Sequence, residues 1–225
     1  MYHKEILIAE IDNIIEYINL DTPYYAKPLS DEVVEEVKKK CQQDVKFYFD
    51  SDPAADDDEE IKITYPGYLA ICYYRLAHEL YLLGKKTEAR IITEHAHEKT
   101  GIDIHPGAKI GCPFFIDHGT GVVIGQTAIV GDYVKIYQGV TLGALSPDKG
   151  QSIRGVKRHP TVGNNVVIYA NATLVGDITV GDNVTIGGSV FLMESVQPNQ
   201  RVIMDKPKIT DAWWMDSTEP DHHNI

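Results

Sequence analysis

One histidine in this 225-residue chain stands in a row of mostly apolar residues, with neighbours suited to chemistry. Pro106, Cys112, His118, Ile124, Val130, Ile136 and Leu142 lie six residues apart. A polar ring in such a row needs a partner or marks a break in register. His118 sits in Phe115-Ile116-Asp117-His118-Gly119-Thr120-Gly121, beside an acid and beside glycines that let a ligand approach the backbone. It is either a satisfied core histidine or a group that exchanges protons near neutral pH. A second cluster lies in the stretch from Gly143 to Pro160, which carries Lys149, Arg154, Lys157 and Arg158 and ends Arg158-His159-Pro160. Basic residues gathered in an acidic protein suit a small carboxylate or phosphate. A surface loop without a ligand is the plain alternative. Cys41, Cys72 and Cys112 are widely spaced, with no C-x-x-C, and suit free thiols in a reducing compartment. Cys112 reads as a small core residue, not a nucleophile. His222-His223 is too short for a metal site, and no other spacing supports zinc.

The elements that must position these groups follow from periodicity. Ile104, Ile110, Ile116, Val122, Ala128, Val134 and Val140 form a row two residues ahead of the one holding His118. A second block repeats the beat through Val162, Ile168, Leu174, Val180, Ile186 and Leu192, with Val166, Ala172, Ile178, Val184, Val190 and Val196 beside it. Glycine often follows, as at Gly125, Gly131, Gly163, Gly181 and Gly187. A six-residue beat of this kind is the signature of a parallel β-helix of hexapeptide repeats. One coil cannot bury its inward face, so coils stack on one another. The stretch 143–160 interrupts the beat and reads as a loop extruded from an otherwise intact stack.

Residues 1–101 read as an all-α N-terminal domain. Ile6, Leu7, Ile11, Ile14, Ile15 and Ile18 form one helical stripe. Ser30 is a candidate N-cap for a helix carrying Val34, Val37, Cys41 and Val45. The acidic run from Asp50 to Glu60 reads as a solvated loop. Another helix is expected from Pro66 to Gly84, and a last one from Thr87 to Gly101. The repeat domain then spans 102–200 and a polar tail spans 201–225. Trp213 and Trp214 of that tail could pack on the body.

The formal net charge of −12 argues against nucleic acid or an anionic membrane as partner. No run of 18 apolar residues suggests a transmembrane helix, and the N-terminus lacks a signal-peptide core, which points to the cytoplasm.

Several motifs go further. Asp103-Ile104-His105-Pro106-Gly107-Ala108-Lys109-Ile110-Gly111, Asp117-His118-Gly119-Thr120-Gly121, Gly125-Gln126-Thr127-Ala128, Gln138-Gly139-Val140-Thr141-Leu142-Gly143 and Arg158-His159-Pro160 resemble those of serine O-acetyltransferases. The resemblance runs from about Asp52 to Pro198. It implies a left-handed parallel β-helix behind the helical domain. It also implies transfer of acetyl from acetyl-CoA to the L-serine hydroxyl in cysteine biosynthesis, with no metal. By the same resemblance, His118 is the catalytic base and Asp103 its orienting partner. Asp52 and Asp117 contact the serine ammonium, and Arg158 and His159 its carboxylate. Gly143, Ala144, Ala170 and Gly188 line the acetyl-CoA groove. The resemblance further implies a homotrimer or dimer of trimers, feedback inhibition by L-cysteine, and docking of the terminal Ile225 into O-acetylserine sulfhydrylase. Two departures stand out: Gln126 replaces the usual Glu, and the loop before Arg158 differs in length, as does the N-terminal region.

The chemistry suits these residues. A serine hydroxyl needs a base, and a carboxylate can fix the tautomer of that base. Direct attack on a thioester needs no acyl-enzyme. A hexapeptide acetyltransferase acting on a sugar or another small hydroxyl acceptor is the alternative. A neutral sugar, however, needs neither Asp52 nor Arg158. A zinc carbonic anhydrase on the same fold would need three converging histidines, and a regulatory docking module would not need Asp103 and His118.

Overall fold

The computed structural model describes residues 29–145 and 150–205. The expected stripe from Ile6 to Ile18, the pair Trp213-Trp214 and the tail residue Ile225 lie outside them.

Among the described residues, four helices precede the repeats. Helix α1 spans Asp31–Ser51, with Asp31 and Glu32 in its first turn, where the helix dipole favours acids. Ser30 holds the cap position but its side chain makes no capping hydrogen bond, so the expected cap is positional only. The acidic run is only partly loop. Helix α2, Asp58–Thr64, begins inside it. Asp57 caps the helix by accepting from the Glu60 N–H, and the Glu60 carboxylate reaches back to the N–H of Asp56, one residue before the cap. Helix α3, Pro66–Leu82, starts on its proline and is followed by Gly84 at φ +84. Helix α4, Lys86–Thr100, ends at Gly101 in the left-handed region. Lys85 takes its cap position, so Thr87 is inside the helix, not capping it.

The rest is a parallel solenoid of three sheets. The first stacks β1 (Asp103–Ile104), β4 (Val123–Ile124), β7 (Thr141–Gly143), β10 (Thr173–Val175) and β13 (Phe191–Leu192). The second stacks β2 (Lys109–Ile110), β5 (Ile129–Val130), β8 (Thr161–Val162) and β11 (Thr179–Val180). The third stacks β3 (Phe114–Ile116), β6 (Val134–Ile136), β9 (Val167–Ile168), β12 (Thr185–Ile186) and β14 (Arg201–Val202). Each coil visits third, first and second sheets in turn. Inward ladders such as Ile104, Ile124, Leu142 and Leu174 fill the interior.

The register corrects the sequence reading in the first coil. Ile104, Ile110 and Ile116 pair with Ile124, Val130 and Ile136, not with the Val122 row. Ile102, Ala108 and Phe114, all buried, take the other inward slots. The cause is a two-residue insertion. Asp103 precedes its partner Val123 by 20 residues, while Val123 precedes Thr141 by 18. Phe114 and Val134 are still 20 apart, so the extra residues fall between Ile116 and Val123. The same shift removes Cys112 from the interior. Its thiol faces α1, 3.0 Å from Gln43 Oε1, and burial next to Asp44 pushes it up to about 12.

The helices dock through buried polar bonds. Asp44 on α1 and Arg75 on α3 form a fully buried pair, Nε to Oδ2 2.5 Å and Nη2 to Oδ1 2.7 Å. Arg75 also donates to the Gly111 carbonyl, and Asp44 accepts from the Phe114 N–H. The Tyr48 hydroxyl donates to the Ile116 carbonyl and accepts from the Ile116 N–H, each at 2.9 Å. Removing one member of a buried pair leaves the other charge uncompensated. Arg75→Ala is therefore expected to cost about 3–5 kcal/mol in chemical denaturation. A loss under about 1 kcal/mol would show that this pair does not hold the helices to the coils.

Candidate active site

The solenoid has two edges that matter. Edge one joins the third sheet to the first; edge two joins the first to the second. The inserted residues create the site at edge one. His118 adopts φ +56 and Gly119 φ +88, and Gly119 N–H bonds back to the Asp117 carbonyl. This tight turn turns the imidazole out of the stack, so His118 is a break in register, not a core histidine. Its side chain is 71% exposed, with Nδ1 3.7 Å from Asp117 Oδ1. Glycine suits the next position, because its φ of +88 is one that residues with a Cβ rarely adopt.

Asp52 joins the same edge from the end of α1. Its Oδ1 accepts from the Ala54 N–H at 2.9 Å, and its Oδ2 from the Tyr65 hydroxyl at 2.7 Å. That hydrogen bond to Asp52 pushes the Tyr65 phenol up to about 12, with burial second and Asp117 contributing. Burial also raises the Tyr137 phenol, and both aspartates add to it. Asp52 and Asp117 therefore surround one corner with Tyr65 and Tyr137. Both hydrogen-bond partners of Asp52 are neutral, so its charge remains to attract a cation. Asp103 begins β1 one layer from His118, where its N–H bonds to the Val122 carbonyl. Its carboxylate pairs with Arg90 at 3.3 Å, and Arg90 also holds Glu94. Glu94, His97 and Asp103 cluster closely enough for a cation, but Arg90 already supplies one.

Edge two carries the basic half. Ile129 and its partner Thr161 are 32 residues apart where 18 complete a coil, and the surplus forms the extruded loop. The loop returns through a 3-10 turn at Gly150–Ile153 and ends against Thr127. Thr127 Oγ1 accepts from the backbone N–H groups of Arg158 (3.0 Å) and His159 (3.2 Å). His159 Nδ1 accepts from the Thr127 N–H at 3.2 Å, which leaves the ring proton on Nε2. The ring passes over Gly125, where a Cβ would lie 2.0 Å from Cδ2. Arg158 Nη2 donates to Gln126 Oε1 at 2.7 Å. A cavity of about 540 Å³ opens here, lined by Gln126, Ala144, Gln151, Arg154 and Arg158 among others.

The four groove residues also divide between the edges. Gly143 and Ala144 lie at edge two, and Ala170 and Gly188 at edge one. Ala170 and Gly188 stack, since Ser189 N–H bonds to the Ala170 carbonyl and a Cβ on Gly188 would sit 3.3 Å from it. Thus one chain brings Asp52, Asp117 and His118 together, and Arg158 with His159, but the first sheet separates the two groups. Arg90, Tyr65, Tyr81 and Thr127 were not singled out by sequence reasoning. Thr127 and Gln126 at least stood inside a recognised motif. Nothing in the local sequence marks Tyr65 or Arg90, whose partners lie 13 residues away.

His105 and His159 both titrate at about 4 instead of 6.5, chiefly because burial penalises their charged forms. Arg90 next lowers His105, and Arg158 next lowers His159. Both rings are neutral at neutral pH. Between pH 6.5 and about 4 the unfolded chain binds protons that the folded chain does not, so stability falls with pH across that window. Thermal melts should show the midpoint dropping there, and His159→Gln should flatten the drop. Identical slopes for both proteins would show that His159 is not held neutral.

Comparison with known proteins bears on the family and the fold. The family described as bacterial transferase hexapeptide (six repeats) matches residues 159–192. A plasmid-borne serine acetyltransferase of Synechococcus elongatus is 54% identical over 164 residues, covering 72% of this chain and 51% of that one. The chain thus spans about half the length of this relative. A serine acetyltransferase of Staphylococcus aureus is 45% identical over 165 residues, covering 73% of this chain and 75% of that one. The crystal structure of serine acetyltransferase isoform 3 of Entamoeba histolytica in complex with cysteine superimposes with a TM-score of 0.76. It shares 38% identity and covers 92% of this chain and 74% of that one.

Proposed function

The chain belongs to the serine acetyltransferase family, and we propose that it moves the acetyl group of acetyl-CoA to the serine hydroxyl at sites shared between copies of itself. The observation that carries this reading is the division of charge between the two edges. The edge-one group can hold an ammonium; the edge-two group can hold a carboxylate. An amino acid offers both ends within a few ångströms. In one chain the first sheet keeps the groups apart. A heterologous contact, edge one of one copy against edge two of the next, brings them together and closes as a three-membered ring. The same contact aligns Ala170 and Gly188 of one copy with Gly143 and Ala144 of the next along an acetyl-CoA groove.

Within that site His118 takes the hydroxyl proton. The oxygen attacks the thioester carbonyl and a tetrahedral oxyanion forms. Collapse breaks the carbon–sulfur bond, and the CoA thiolate recovers the proton from His118. The products are O-acetylserine and CoA. Asp103, freed from Arg90 or shared with it, steadies the imidazolium. Cys112 takes no part, since its thiol is held protonated against α1. L-cysteine carries the same ammonium and carboxylate and would compete for them; the Entamoeba relative was crystallised with cysteine. The edge-one acids and edge-two arginine disfavour a sugar acceptor, which offers neither charge.

The deciding experiment measures CoA thiol release from acetyl-CoA with serine, homoserine, a sugar or no acceptor. Release that does not depend on an amino acid would overturn the reading. His118→Ala should lower kcat by roughly 10²–10⁴, the usual worth of a general base, with KM values changing far less. Asp103→Asn should act in the same direction. Near-normal turnover in a correctly assembled His118 variant would remove the mechanism. Arg158→Lys keeps the charge but loses the planar fork, so the KM for serine should rise well above any change for acetyl-CoA. Equal rises would place Arg158 on CoA instead.

A further inference from the structure

Arg90 is a cation of the helical layer that reaches the first coil. It stands on α4, and its Nη1 donates to Asp103 Oδ1 at 3.3 Å. Its Nη2 is taken by the Glu94 carboxylate, one turn further along the same helix. The guanidinium fork could grip one carboxylate with both nitrogens, but here it is split between two. Asp103 is therefore held by one nitrogen on one oxygen, and it shares the positive charge with Glu94.

Backbone bonds join this part of the chain to the turn of His118. Helix α4 ends at Gly101, whose carbonyl accepts from the Gly121 N–H at 2.8 Å. The Asp103 N–H donates to the Val122 carbonyl at 2.9 Å, and Asp103 pairs in register with Val123. The main chain beneath the Asp103 carboxylate is thus fixed against the residues that follow His118. The side chain is 26% exposed and can change rotamer unless a group outside the strand holds it. His105, two residues on, is neutral and accepts from the Gly107 N–H through Nδ1, so it brings no charge to Asp103. Arg90 supplies charge and direction together.

We propose that Arg90 is a positioning residue for the base: it holds Asp103 by Oδ1 so that the carboxylate stays aimed at His118, while Glu94 keeps that grip single and leaves Asp103 an oxygen and part of its charge for the imidazolium. This rests on the acetyl-transfer reading above, which gives Asp103 its role, and extends the support of the base into the helical layer.

In the full-length enzyme, Arg90→Met keeps the length of the side chain and removes its charge and its donors. It should lower kcat by roughly 5–50-fold, within the range of coupling between members of one hydrogen-bond network. The KM values for serine and acetyl-CoA should change by less than about twofold. Arg90→Lys restores the charge without the fork and should recover part of the loss. The deciding measurement is a double-mutant cycle. Because Arg90 acts through Asp103, Arg90→Met should cost less than about twofold in kcat once Asp103→Asn is in place. A merely structural role would cost the same in both backgrounds. If Arg90→Met does not fold, Glu94→Gln decides, since that side chain is half exposed. It frees Nη2 to close on Asp103 beside Nη1 and should lower kcat by roughly 2–10-fold, again only where Asp103 is present. An unchanged kcat in the deciding variant, or a loss that persists undiminished with Asp103→Asn, overturns the proposal. Full turnover in Asp103→Asn itself would overturn the role of Asp103 and this proposal with it, so failure of the underlying reading is told apart from failure of the proposal alone.

Discussion

The buried Asp44–Arg75 pair is the contact on which the rest depends. It lies at the junction of α1, α3 and the first coil, and it satisfies a backbone donor, the Phe114 N–H, and a backbone acceptor, the Gly111 carbonyl, of that coil. A terminal coil of a solenoid has no neighbour on one side and would expose its interior. Here α1 and α3 cover it, with Tyr48, Tyr68, Ile71 and Tyr74 packed against Ile104, Phe114 and Ile116. An ion pair so deeply buried adds little net stability, yet it admits one geometry. That geometry fixes Ile116 through Tyr48, and the next two residues are Asp117 and His118. It also delivers the C-terminal end of α1, where Asp52 sits, to the same corner. Asp52, Asp117 and His118 are thus all placed by one rigid junction.

Charge divides the chemistry as firmly as packing does. Edge one concentrates carboxylates whose partners are tyrosines and backbone amides. Edge two carries the Arg158 guanidinium, whose partners are the Gln126 side-chain amide and the Val156 carbonyl. Asp52 and Arg158 are each oriented by neutral hydrogen bonds, whereas Asp103 is paired with Arg90. His105 and His159 are kept neutral by burial beside Arg90 and Arg158, which spares edge two additional repulsion.

Much of the fold was legible because hexapeptide periodicity is a direct imprint of inward packing. The rows from Val122 to Leu192 correspond to observed ladders. The first coil was misread because a two-residue insertion preserves apolar residues at six-residue spacing while shifting their partners. Ile104, Ile110 and Ile116 satisfy either register, and only their pairing with Ile124, Val130 and Ile136 decides between them. The helix boundaries were legible where Pro66, Gly84 and Gly101 punctuate the chain. The helix at Asp58 was hidden inside an acidic run, because capping by Asp57 and Glu60 uses the same residues that solvate a loop. For the site, His118, Asp117, Arg158 and Asp52 could be found through motifs. Tyr65, Tyr81 and Arg90 could not, since each acts through a tertiary contact that leaves no local pattern.

The two departures from the 18-residue coil are also the two places where the reactive groups stand. His118 and Gly119 occupy the turn that holds the small insertion; Arg158 and His159 close the large one. A perfect solenoid turns every second side chain inward and leaves its corners to small turn residues, so it offers no place for a base or a guanidinium. Breaking the period at a corner costs only the contacts of that corner, because the coils above and below keep their own ladders. The insertions also fall on different edges. A single chain therefore holds each group of polar side chains rigidly, on intact neighbouring strands. On the proposed reading, activity would depend on contact between copies while the geometry of each half is held within one chain.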